Sequence, residues 1–278
     1  MVTSPNVKIN LGLSVIRKRE DGFHELETLF VPYFDIHDTL EIITGDDFSV
    51  TSASLFSRYD EDTMAQGISG DGKLMITIAR REGVDWDPLK DLCSKAYALL
   101  DADFNLPPVK IFLEKTSPVG AGLGGGSADA AFALRMISDL FELNLSDETL
   151  AGYAARLGSD CAFFIYNKPM IGSGRGEILE PYELDLSGYQ LQVIVPEGVA
   201  VSTAEAYKGI KPSGRTNLKE VLAQPVESWK ESLVNDFEET VFPHHPEIPA
   251  IKNSLYESGA VYAAMSGSGS ALFAIYRK

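Results

Sequence analysis

The chain has 278 residues, 45% of them hydrophobic and 23% charged, with a net charge of −16. This is globular composition rather than disorder, long enough for a sizeable core in one or two domains. The acidic balance argues against a general nucleic-acid binder, which needs a basic footprint, but leaves room for one local anion pocket. Cys93 and Cys161 have no ligand-like spacing, so neither a disulfide nor a zinc site is expected, and a reducing, cytoplasmic setting is. The N-terminus has no basic region leading into an apolar block, so no signal peptide is expected. No apolar run approaches the roughly 20 residues of a membrane helix.

In chain order, Val7, Ile9, Leu11, Leu13 and Val15 alternate with Lys8, Asn10, Gly12 and Ser14. That period predicts a half-buried strand with Lys8 and Asn10 on its polar face. Asp21-Gly22 is a turn signal. Strands over His24–Phe34 and Asp38–Gly45 then suggest an antiparallel meander. Residues 52–72 are polar and weakly patterned and read as loop. Pro88–Phe104 reads as a helix and Val109–Lys115 as a strand.

The stretch "PVGAGLGGGSADAA" (Pro118–Ala131) follows. It leads into a helix starting near Ser127, with Ala130, Ala133, Leu134, Ile137, Leu140 and Phe141 at helical spacing. A second helix is predicted from an N-cap at Ser146, with Asp147 and Glu148 in its first turn and Gly158 as its stop. Asp160–Tyr166 closes this half. "GSGRGEIL" (Gly172–Leu179) is a glycine-rich turn, Tyr189–Glu197 a strand, and "NSLYESGA" the end of a helix. Val261–Met265 and Ala271–Tyr276 read as strands flanking "SGSGS" (Ser266–Ser270). Mixed strands and helices without regular βαβ alternation predict an α+β fold. The expected domains are 1–168 and 169–278.

Gly120, Gly122 and Gly125 match a dinucleotide fingerprint, but the tight strand-helix turn and the second strand with its acidic residue are missing. A Walker loop is excluded because no lysine follows the glycines. A linker does not run straight into an amphipathic helix. The reading that survives is an anion cradle. Glycines let backbone N–H groups approach a phosphate, and the helix start aims its free amides and positive dipole end at the same point. A glycine-rich turn that holds nothing is the plainer alternative.

Together, "SPNVKINLGL", "DGFHELETLF", "PVGAGLGGGSADAA", "LGSDCAFF", "GSGRGE", "VSTAEAY", "ND" with "FE", and "SGSGSALFA" resemble, in this order, the 4-diphosphocytidyl-2-C-methyl-D-erythritol kinases of the GHMP superfamily. The glycine stretch points only to the superfamily, whereas "VKINLGL" with "DGFHELETLF" points to this member. The resemblance runs from about Ser4 to the C-terminus. It implies a two-domain fold with the active site in a cleft between the halves. It also implies transfer of the γ-phosphoryl of ATP, assisted by Mg²⁺, to a hydroxyl on the methylerythritol part of a small cytidine-diphosphate substrate.

By the same resemblance, Pro118, Gly120, Gly122, Leu123, Gly124, Gly125, Gly126 and Ser127 form the ATP phosphate loop. Asp160 takes or orients the substrate hydroxyl proton, and Lys8 offsets charge on the attacking oxygen. His24 recognises cytosine, with Phe23, where the family has Tyr, and Tyr207 as its aromatic neighbours. Stacking survives the loss of that hydroxyl because it uses the ring face. Thr203 matches a diphosphate contact and Asn10 a group near the substrate hydroxyls. Asp91 stands where the family often has Asn, beside the nucleotide base. "SGSGS" matches the third superfamily motif, whose small residues suit close approach to phosphate and to the Lys8 strand.

On residue chemistry alone, Lys8 reads as a solvated lysine, Asp160 as a helix N-cap, His24 as a surface-turn histidine and Cys161 as a small buried hydrophobe. Two other functions compete: a superfamily kinase acting on another alcohol, and a non-catalytic nucleotide-binding protein of the same fold. Lys8 with Asp160 favours an enzyme, and "DGFHELETLF" favours the cytidylyl substrate.

Overall fold

The computed structural model describes residues 1–278, the side chain of Val50 excepted. The strands are β1 (Val2–Thr3), β2 (Asn6–Lys18), β3 (His24–His37), β4 (Thr39–Thr44), β5 (Met64–Ile68), β6 (Leu74–Arg80), β7 (Val109–Lys115), β8 (Met170–Gly174), β9 (Ile178–Pro181), β10 (Tyr189–Ile194), β11 (Tyr262–Met265) and β12 (Leu272–Arg277). They form three sheets ordered β1-β4-β7-β6-β5, β2-β3-β8-β9 and β10-β12-β11. The chain divides into two compact units. The first comprises Met1–Val7, Tyr33–Ser117 and Gly125–Asn167, the second Lys8–Pro32, Pro118–Gly124 and Lys168–Lys278.

In the first unit the five-stranded sheet is antiparallel except for the parallel pair β6/β7, where Ile76 faces Ile111. Helix α1 (Val50–Arg58) packs through Leu55 and Tyr59 on Ile43, Ala79 and Phe112. Four helices follow: α2 (Leu92–Phe104), α3 (Gly125–Leu140), α4 (Asp147–Leu157) and α5 (Cys161–Tyr166). Of the stripe predicted for α3, Ala130, Ala133, Leu134 and Ile137 are fully buried, whereas Leu140, its last residue, and Phe141, just past its end, are half-buried. Leu134 and Ile137 alone contribute roughly 1.5–3 kcal/mol each. α4 has the predicted ends: Ser146 Oγ accepts the Thr149 amide and Gly158 is the C-cap.

In the second unit β10, β12 and β11 form an antiparallel sheet with Leu191 and Tyr262 opposite Ile275. Its core gathers Leu13, Val15, Phe237, Val241, Ile248, Met265 and Leu272. No helix among the described residues is long and apolar enough to cross a membrane.

Three sequence expectations need correction. The segment from β2 to β4 is not one meander, because β4 joins a different sheet from β3. The bend is fixed at Asp38, whose amide bonds Pro5 O and whose carboxylate accepts the amides of Thr116 and Ser117. Residues 52–72 are not loop but hold most of α1 and the edge strand β5. The buried stripe of α1, Thr51, Leu55 and Tyr59, has one aliphatic member, too few to register as hydrophobic periodicity. Finally, β2 is not half-buried: Lys8 and Asn10 are 3% and 2% exposed. Its alternation is real, but its polar side chains bond other protein groups rather than water.

Candidate active site

Those protein groups are the first half of the glycine stretch and the "SGSGS" turn, all within the second unit. The Lys8 ammonium donates to Gly122 O at 2.9 Å and to Asn10 Oδ1. The Lys8 amide bonds Leu123 O. Asn10 donates from its backbone N–H to Ser266 Oγ and from Nδ2 to Thr28 Oγ1. Ser266 Oγ also donates to Gly122 O at 3.2 Å, and the Ala271 amide reaches Ala121 O.

Only small residues allow this approach. A Cβ on Gly122, whose φ is +77°, would fall 2.2 Å from Ser266 O and 3.0 Å from Gly269 N. A Cβ on Gly267 would meet Gly122 O at 2.9 Å. The third motif is therefore a buttress for the loop rather than a bare hairpin turn. Asn235 holds the buttress, with Nδ2 on Met265 O and Gly267 O. Next to it the Asp236 carboxylate accepts the Val15 amide, the Ser213 hydroxyl and Arg215. Sequence reasoning matched "ND" and "FE" to the family without assigning them this role, because a buried amide that satisfies carbonyls has no local pattern.

The expected base-recognition residues are also in this unit. His24 opens β3 and stacks on Tyr207 at 4.9 Å and 26°, with Tyr207 backed edge-on by Phe237. Burial and then Lys18 lower the His24 pKa from its ordinary value, favouring the neutral ring. Phe23 is more than half exposed, with the Arg175 guanidinium 5.0 Å over its ring. Thr203 begins a short helix, α6 (Thr203–Tyr207), capped by Ser202, and lies 3.5 Å from the Ser268 hydroxyl. His24, Tyr207 and Thr203 are thus tied to the same part of the unit.

The remaining expected residues lie in the first unit. α3 begins at Gly125, two residues earlier than its apolar pattern suggests, so Gly125, Gly126 and Ser127 are its first turn. Those N–H groups have no partner within the helix. Asp160 is in the turn between α4 and α5 and makes no capping bond to α5, contrary to the simplest reading of its position. The next residue, Cys161, reaches Ser127: its Sγ interacts with the hydroxyl, and burial pushes the thiol up to about 12. Cys161 is therefore an inert packing group that seats the Asp160 turn against the start of α3. Asp91 is the N-cap of α2, accepting the Cys93 amide on Oδ1 and the Trp86 indole on Oδ2. Its carboxylate in place of the usual amide has a structural use.

Among the described residues no cluster of three or more His, Cys, Asp or Glu side chains could cage a metal. Mg²⁺ does not need one, since it is commonly held by one or two carboxylates together with substrate phosphates.

Family models match residues 91–168 as the GHMP kinases N terminal domain and 217–278 as the GHMP kinases C terminal. A 4-diphosphocytidyl-2-C-methyl-D-erythritol kinase of Bacteroides fragilis is 47% identical over 277 residues, covering 99% of this chain and 92% of that one. The chain belongs to this family. The corresponding kinase of Porphyromonas gingivalis is 41% identical, covering 100% of this chain and 93% of that one. A crystal structure of 4-(cytidine 5'-diphospho)-2C-methyl-D-erythritol kinase is 30% identical with a TM-score of 0.69, covering 99% of this chain and 89% of that one. Methanococcus jannaschii mevalonate kinase, at 13% identity, TM-score 0.64 and coverage of 100% and 90%, shares the fold. Membership makes the chain an ATP-dependent kinase and removes the non-catalytic alternative.

Proposed function

We propose that the chain transfers the γ-phosphoryl of ATP to the 2-hydroxyl of 4-diphosphocytidyl-2-C-methyl-D-erythritol, a step of non-mevalonate isoprenoid precursor biosynthesis. The observation that carries the site reading is the Lys8 ammonium bonded to Gly122 O inside the glycine stretch. One cation is thereby built into the loop expected to carry the phosphates. The glycine stretch and the free amides of Gly125, Gly126 and Ser127 would hold the triphosphate. Asp160 and the Ser127 hydroxyl are hard oxygen donors that suit Mg²⁺. When bound, the ion would neutralise phosphate charge.

Phosphoryl transfer passes through a loose transition state, so positioning and charge stabilisation outweigh proton removal. Asp160 need only accept a hydrogen bond from the attacking hydroxyl and take its proton late. Lys8 offsets the charge that develops on that oxygen. His24, neutral and stacked on Tyr207, can donate and accept at a cytosine edge. Thr203 would donate to the diphosphate.

The test is ADP release by the purified protein against a panel containing the cytidylyl conjugate, homoserine and mevalonate. A strong preference for the cytidylyl conjugate is expected, and no preference overturns the assignment. With the same substrate, Asp160→Asn lowers turnover by about 100-fold or more while the Kd for ATP stays put. Near-normal turnover removes Asp160 from the chemistry.

A further inference from the structure

Beneath the first turn of α3 lies a buried charge cluster to which the roles above assign nothing. Lys115 ends β7 and is 6% exposed. Its ammonium donates to Asp38 Oδ2 at 2.5 Å, Asp129 Oδ2 at 2.7 Å and Ser117 Oγ at 3.1 Å. That uses all three donors of an ammonium. Asp38 also accepts the Ser117 hydroxyl at 2.6 Å and the amides of Thr116 and Ser117 at 2.7 Å each. Gly125 rests directly on the cluster. A Cβ there would fall 2.3 Å from Ser117 Oγ and 3.3 Å from Lys115 Nζ. The glycine that opens the helix is thus required from below, by the cluster it sits on.

Asp129 supplies a second, independent observation. It is on the same turn of α3, 1% exposed, and its Oδ1 is buried with no hydrogen-bond partner. Burial outweighs the pull of Lys115 and pushes this carboxyl well above the usual range, with Asp38 and Asp91 adding to the push. For Asp38 burial also pushes upward, but Lys115 and Ser117 outweigh it and hold the carboxyl below the usual range. Lys115 is kept charged by its two partners against the effect of burial. The Cys93 thiol on α2, which also faces the cluster, stays protonated because of its burial.

We propose that Lys115 is a positioning residue for the phosphates of ATP: clamped by Asp38, Asp129 and Ser117, it fixes Gly125 and the free amides of the first turn of α3. This rests on the reading that the triphosphate lies on the glycine stretch. Lys115→Met alone leaves Asp38 buried and unpaired and can prevent folding. The double variant Lys115→Met/Asp38→Asn removes both charges, and the introduced side-chain amide keeps an acceptor for the two backbone N–H groups.

The experiment compares the full chain and this variant by thermal melting, by calorimetric titration with ATP, and by the KM of each substrate. The expected result is a folded variant whose Kd for ATP is raised tenfold or more, with the KM of the cytidylyl substrate within about twofold of the parent. A folded variant with parental ATP affinity overturns the proposal. If the double variant does not fold, Ser117→Ala decides: a Kd for ATP raised several-fold supports the proposal and a parental Kd overturns it. Ser127→Glu tests the underlying reading separately. If that carboxylate leaves ATP binding intact, the phosphates do not lie on the loop. If it abolishes binding while the Lys115 variant binds normally, only the positioning role falls.

Discussion

Gly122→Ala is the substitution for which the structure specifies both penalties. The first is conformational. Gly122 has φ +77°, and an L-residue there costs about 1–2 kcal/mol. The second is steric. The new methyl would fall 2.2 Å from Ser266 O, against an ordinary contact that begins at 3.4 Å, and both Ser266 O and Gly269 N are backbone atoms unable to swing aside. Overpacking of this kind adds about 1–3 kcal/mol, so Gly122→Ala should lose about 2–5 kcal/mol. Two neighbours serve as internal controls. Gly120 has φ +73° but open space around its Cβ position, so Gly120→Ala should lose only about 1–2 kcal/mol. Gly126 has neither a positive φ nor a close contact, its nearest atom being Leu92 at 3.9 Å, so Gly126→Ala should be within about 1 kcal/mol of the parent. Urea unfolding of the three variants reads the order. Relief of the clash must open the loop by about 1 Å, which shifts Gly122 O and Lys8 with it. A misplacement of that size can cost about 100-fold in turnover, so kcat with saturating ATP should fall steeply for Gly122→Ala alone. A Gly122→Ala variant no less stable than Gly120→Ala would refute the buttress geometry.

The lowered His24 pKa, caused by burial and then by Lys18, predicts a KM for the cytidylyl substrate that is flat through the usual histidine range and rises only at lower pH. The KM for ATP should not follow it, and a parallel rise in both would count against base recognition. Asp129 has a folded pKa raised by burial above its unfolded value near 3.8. The folded state therefore keeps a proton that the unfolded state has lost, and stability falls as pH rises from about 4. Asp129→Asn removes that slope, so its urea midpoint relative to the parent should improve between pH 4.5 and pH 7.5; an equal difference at both values removes the neutral carboxyl. Asn235→Ala strips the bonds to Met265 O, Gly267 O and the Phe237 amide. At about 1–3 kcal/mol for each buried group left unpaired, the loss should be at least about 3 kcal/mol in urea unfolding, and a loss under about 1 kcal/mol would show that the buttress does not need it.

Much of the fold was legible because it is written in local periods. The stripe of α3, the ends of α4 at Ser146 and Gly158, and the hairpin around "SGSGS" each depend on residues within a few positions of one another. What was not legible depends on partners far along the chain. Period two in Val7–Val15 says that Lys8 and Asn10 share a face, but not that Gly122 and Ser266 cover it. That Asp91 caps α2 and holds the Trp86 indole is likewise set by groups its local sequence pattern does not name. Lys115, Asp38 and Asp129 lie far apart along the chain, and no local pattern shows that they meet.

The net charge of −16 raises a physical question for a kinase, since both of its substrates are polyanions. Bulk charge repels them weakly, because beyond about 8–10 Å the field is screened at physiological salt. Within a few ångströms local sources decide, and the donors proposed for them are fixed by protein contacts. The Lys8 ammonium is tied to a loop carbonyl, and the first-turn amides of α3 are carried by a glycine resting on Lys115. An ordered cation loses less entropy on binding than a mobile surface lysine, so a few fixed donors can outweigh a larger number of distant carboxylates.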